Sequence, residues 1–116
     1  MAKVGRFITD PGAGAYCQVT LDTGEKIIVN HEKGGFKGGR LTIDVSKLLG
    51  FSSDQLFACD LDSPRGQAIL AWLTRGAEPG SVGATPLGAA VEFVRDSGSL
   101  AELRTRCAAL MAGGST

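Results

Sequence analysis

The chain has 116 residues, 43% hydrophobic and 21% charged, and its 12 basic and 12 acidic side chains cancel to a formal charge of zero. That length suits one domain (1–116), able to close a core without disulfides or a metal. Balanced charge excludes a strong whole-molecule attraction to nucleic acid or an anionic membrane, so any such contact must come from a local patch. Residues 1–7 lack the apolar core of a signal peptide, and no uncharged apolar run approaches the length of a membrane span. The expectation is a cytoplasmic protein with no membrane partner. Cys17, Cys59 and Cys107 are an odd, widely spaced set without C-x-x-C, which reads as buried thiols in a reducing compartment.

In chain order, residues 4–9 form the first strand candidate. Residues 15–21 alternate, with Ala15, Cys17, Val19 and Leu21 on one face and Tyr16, Gln18 and Thr20 on the other, as a half-buried strand should. Leu21-Asp22-Thr23-Gly24-Glu25 then turns the chain. With Gly24 in the left-handed region, a type I turn plus G1 bulge sets Val19 opposite Ile27 and Cys17 opposite Val29. Residues 41–45 complete a meander of about four antiparallel strands, a small sheet or partial barrel. Residues 46–49 and 52–57 read as short helical pieces, the second with Ser52 and Gln55 spaced like a capping box.

The second half reads as helices. Ser63-Pro64 starts 65–75, Thr85-Pro86 starts 87–96, and Ser99 with Glu102 starts 100–111. Trp72 in the first of these reads as an anchor onto the sheet. Leu87, Val91 and Val94 make one stripe at helical spacing, and Leu100, Leu103, Cys107, Leu110 and Met111 make another. Gly98-Ser99 between them predicts a tight αα-hairpin. The two stripes must cover either the sheet or a second copy of the hairpin, and the glycine-rich linker 76–84 reads as flexible enough to permit an exchanged homodimer. The fold class is therefore α+β, with a β-rich part (1–62) and a helical part (63–116) that are each too small to stand alone. No internal repeat of fixed period is present.

Residues 31–40, His-Glu-Lys-Gly-Gly-Phe-Lys-Gly-Gly-Arg, are the strongest candidate site. Backbone N–H groups bared by the glycines, with Lys33, Lys37 and Arg40 around them and Phe36 available to stack, suit a phosphate-bearing ligand. The spacing matches neither phosphate-binding fingerprint, and no helix N-terminus follows. His31 is the sole histidine, so any imidazole chemistry must use it. The hairpin register brings it within a diagonal of Cys17, yet a thiol on the apolar face is a poor nucleophile and nothing is positioned to orient the ring. Asp60 and Asp62 could share a cation, but an acidic residue just before Ser63-Pro64 is expected on helix-capping grounds alone. Arg95, Arg104 and Arg106 are balanced by Glu92, Asp96 and Glu102, which reads as a solvated face.

No catalytic set, metal-ligand spacing or cofactor motif is present in this pattern, and a hydrolase or isomerase built on His31 is the weakest reading. The leading expectation is a non-catalytic binding or interaction module that forms a homo-oligomer through its C-terminal helices. The alternative is a small-barrel nucleic-acid-binding protein using His31, Lys33, Phe36, Lys37 and Arg40, with Tyr16 on the neighbouring strand.

Overall fold

A computed structural model describes residues 1–33, 38–47 and 53–113. It contains one antiparallel sheet of six strands, β1 (Lys3–Val4), β2 (Ile8–Asp10), β3 (Gly14–Thr20), β4 (Lys26–Glu32), β5 (Arg40–Ser46) and β6 (Ser53–Asp60). Three helices follow, α1 (Pro64–Leu73), α2 (Pro86–Arg95) and α3 (Leu100–Met111), with a turn of 3-10 helix at Val82–Ala84 ahead of α2. The strand order is β1-β3-β4-β5-β6, and β2 shares with β1 the outer edge of β3. The path is open, so the element is a sheet. The α+β class holds, with more strands than the sequence suggested.

The hairpin register is the expected one. Val19 faces Ile27 and Cys17 faces Val29, around a turn in which Gly24 takes φ 96 and donates its N–H to the Leu21 carbonyl at 2.9 Å. Two expectations fail. Residues 4–9 do not form one strand: the segment breaks after Val4, where the Gly5 N–H donates to the Gln18 carbonyl, and pairing with β3 resumes at Ile8. Residues 53–57, read as helical, belong to β6, where Phe57 pairs with Ile43 and Asp54 with Val45. The register shifts opposite Ile43 and Asp44, because Leu56 is an extra residue in β6. This bulge breaks the period-two alternation by which a strand is recognised. Ser46 likewise ends β5 rather than starting a helix; positions 48, 49 and 52 lie outside the described residues.

The helices cover one face of the sheet. α2 lies across β3 and β4, while α1 and α3 pack on β6. Val19, Ile27, Val29, Leu41, Ile43 and Phe57 from the sheet join Ile69, Leu87, Val91, Val94, Leu103, Cys107 and Leu110 from the helices in one buried cluster. Each fully buried aliphatic side chain contributes roughly 1.5–3 kcal/mol. The stripes of α2 and α3 are thus buried within a single chain, apart from Leu100, which is half-buried, and Met111, which is exposed. Trp72 finds its aromatic partner on α2, edge-on to Phe93 with ring centroids 6.1 Å apart. The linker is more ordered than its composition implied, since the turn at Val82–Ala84 packs on α2.

The helix starts follow their sequence signals. The hydroxyls of Ser63, Thr85 and Ser99 accept from the N–H groups of Gly66, Gly88 and Glu102, and Pro64 and Pro86 occupy the first turns without losing a hydrogen bond. In α1, Gly66 is seated against the end of β6, where a Cβ would stand 1.9 Å from the Asp60 carbonyl oxygen. Helix propensity favours Gly66→Ala by up to about 1 kcal/mol, whereas moving the backbone out of such a clash costs roughly 1–3 kcal/mol. Gly66→Ala should therefore lower the unfolding free energy in urea titration by about 1–2 kcal/mol; a stabilised variant would mean that α1 is not seated on β6 in this way.

Candidate functional site

Strand parity divides the sequence-derived site. His31 lies opposite Ala15 and Leu41, on the face that the helices cover, whereas Arg40 lies opposite Glu32 and Asp60, on the other face. Lys33 is exposed just past the end of β4, with its backbone N–H donated to the Ala13 carbonyl at 2.9 Å. Phe36 and Lys37 lie outside the described residues. The structure therefore brings Lys33 and Arg40 to the open side and turns His31 away from them.

His31 acts as a clasp. Its Nε2 is 2.8 Å from the Gly38 carbonyl oxygen, an acceptor, so the ring nitrogen carries the proton and donates it. The Gly38 N–H in turn donates to Asp62 Oδ1 at 2.7 Å, the Asp62 N–H donates to Asp60 Oδ1 at 2.9 Å, and the Leu61 N–H donates to the Gly39 carbonyl at 2.9 Å. The end of the glycine-rich loop is thereby tied to the start of α1. Asp62 holds that loop, and the helix cap itself is Ser63. Each of the two carboxylates has an oxygen committed to a backbone amide, and no group of three metal-ligating side chains occurs among the described residues.

Cys17 and His31 do not pair either. The Cys17 thiol points to the Gly5 carbonyl at 3.5 Å. Burial pushes its pKa up, and it pushes Cys59 and Cys107 up to about 11, in Cys59 with further help from the Asp60 charge. All three thiols stay protonated at neutral pH, which removes the nucleophilic form.

The face that carries no helix presents four cross-strand rows, of which the one farthest from Gly14 runs Lys3, Thr20, Lys26. Of the others, the first runs Asp10, Gly14, Glu32, Arg40, Asp60; the next Ile8, Tyr16, Asn30, Thr42, Ala58; the third Gln18, Ile28, Asp44, Gln55. Over the first two rows, at the β2–β3–β4 side, lies a cleft of about 480 Å³ lined by Asp10, Gly14, Tyr16, Asn30, Glu32 and Lys33, among others. Gly14 is obligatory there: it has φ 123, and a Cβ would sit 2.2 Å from the His31 carbonyl oxygen. Asp10 Oδ1 accepts from the Gly12 N–H at 2.9 Å. Among the described residues neither Asp10 nor Glu32 has a cation within 4.0 Å.

Sequence reasoning missed this cleft because it needs three strands side by side before the residues meet. It also missed Asp44, which lies in the strand expected over 41–45 and belongs to no motif of its own. Asp44 is only 9% exposed and its neighbour Thr42 only 3%. Burial pushes the Asp44 pKa up; hydrogen bonds from the Thr42 and Gln55 side chains pull it partly back, Glu32 raises it and Arg40 lowers it. The three arginines singled out in the helical half, Arg95, Arg104 and Arg106, are individually engaged. Arg104 pairs with Asp54, Arg95 with Asp96, and Arg106 lies over the Phe93 ring while donating to the Phe93 carbonyl and to Ser97 Oγ.

No protein-family model, curated protein or solved structure matches this chain.

The raised Asp44 pKa sets a sign. Folding penalises the ionised form, so the penalty is fully present above the folded-state pKa and disappears as pH falls below the unfolded value of about 4. Asp44→Asn removes the charge and keeps an amide able to bond with Thr42 and Gln55. The variant should be more stable than wild type at pH 7 and indistinguishable from it near pH 3 in thermal unfolding. Lower stability at pH 7 would mean that the carboxylate itself is required by its partners.

Proposed function

We propose that this protein is a non-catalytic binding module whose partner docks on the helix-free face of the sheet, at the cleft formed by β2, β3 and β4. The observation that carries this reading is the asymmetry of the sheet. One face is sealed by α1, α2 and α3, while the other has a cleft of about 480 Å³ with Tyr16 39% and Ile8 39% exposed beside it. A concave site with a few convergent polar groups is the default binding surface of a small domain. Self-association through the C-terminal helices has less support, because the stripes that would join a second copy are used inside the chain.

A nucleic-acid ligand keeps one observation in its favour: Lys33 and Arg40 are both exposed and neither has a carboxylate within 4.0 Å among the described residues. Against it, Arg40 shares its row of that face with Asp10, Glu32 and Asp60 and Lys33 directly follows Glu32; these carboxylates repel phosphate, while Lys3 and Lys26, also on that face, stand at the far end of the strands.

Fragment screening by ¹⁵N–¹H correlation spectroscopy tests the reading. Hits should shift amides in 8–16 and 30–33 and leave α1 to α3 unmoved; hits confined to the helices would overturn it. In parallel, fluorescence anisotropy with an oligothymidylate 12-mer at low salt should detect no saturable binding. Saturable, salt-sensitive binding lost in Lys33→Ala/Arg40→Ala would transfer the assignment to the nucleic-acid reading.

A further inference from the structure

The cleft has a chemistry of its own. Neighbouring strands stand about 4.8 Å apart, so Asp10 on β2 and Glu32 on β4, both register partners of Gly14, are separated by about 9.5 Å at Cα. Between them β3 presents no side chain, because Gly14 cannot be replaced without striking the His31 carbonyl. The result is a notch with carboxylates on two walls, a bare backbone floor, and the ring of Tyr16, two residues along β3, as the third wall. Among the described residues Lys33 is the one cation lining it, against two carboxylates, so the described lining carries more negative than positive charge. A bare metal ion would leave most of a cleft of about 480 Å³ empty, and these two carboxylates project from strands two spacings apart. A cation on an apolar stem suits it better: the stem can lie along Ile8 and Tyr16, the charge can sit between Asp10 and Glu32, and the Tyr16 ring face attracts it. Beside the notch, β2 has only β3 as a strand partner among the described residues, so its outer edge offers backbone groups to an extended chain.

We propose that the cleft receives a lysine or arginine side chain of an extended, basic partner segment, seated between Asp10 and Glu32 against Tyr16. This rests on the reading of the open face as the binding surface and adds the chemistry of its occupant. Lys33 is then a rim charge that weakens binding, the opposite of its role under a phosphate-bearing ligand.

The test is a ¹⁵N–¹H titration of the full chain with three hexapeptides of alternating valine and lysine, valine and serine, or valine and glutamate. The valine–lysine peptide should bind with shifts confined to 8–16 and 30–33. Asp10→Asn/Glu32→Gln, which keeps the amide acceptor for Gly12 and the volume at position 32, should weaken it about tenfold, the sum of two exposed ion pairs. Lys33→Ala should tighten it about twofold. Equal binding of all three peptides at those amides, or no loss in the double variant, would overturn the cationic occupant while leaving the open face as the binding surface. Absence of shifts at those amides with every peptide, alongside fragment hits elsewhere, would overturn both.

Discussion

Everything in this molecule depends on closing one face of one sheet. Val19, Ile27, Val29, Leu41 and Ile43 form an apolar surface that a two-layer domain of this size cannot leave in water. α2 answers it across the middle, and α1 and α3 close it over β6. Because the covering helices come from the same chain, their stripes are satisfied without a partner copy. The asymmetry that follows gives the opposite face its character: polar and charged rows, an aromatic ring and a cleft.

The same closure explains why the two ends of the sheet behave differently. At the end nearest α1, the turn from β6 into the helix is held by Asp60, Asp62 and Ser63, and the clasp from His31 to Gly38 ties the glycine-rich loop to that turn. A histidine that looks chemically interesting in the sequence is thereby committed to a backbone carbonyl. Across β3, the backbone passes so close to β4 at Gly14 that no side chain fits, and that bare stretch of backbone lines the cleft.

Much of the fold was legible. The Gly24 turn set the β3–β4 register, Ser-Pro, Thr-Pro and Ser-x-x-Glu marked the three helix starts, and the spacing of Leu87, Val91, Val94, Leu103, Cys107 and Leu110 identified the buried sides of α2 and α3. β6 was not legible, for two physical reasons: the bulge at Leu56 destroys strict alternation, and Ser52 with Gln55 imitates a helix cap that long-range pairing with β5 overrides. The site was legible only as composition. Residues 31–40 stood out for their glycines and cations, yet a strand reverses its side chains at every step, so His31 and Arg40 diverge to opposite faces. Asp10, Gly14 and Glu32 gave no local signal, since nothing short of the assembled sheet brings them together.

The claim beneath all of this is that the helices of each chain cover that chain's own sheet. An isotope-filtered NOE experiment on an equimolar mixture of ¹³C-labelled and unlabelled protein tests it directly, through the methyl groups of Val91 and Val94 on α2 and of Val19 and Val29 on the sheet. Intramolecular cross-peaks among these valines, with none between labelled and unlabelled chains, are the predicted result. Strong cross-peaks between chains would contradict it: the hairpin would then be exchanged between copies, and the binding surface would have to be sought at their interface.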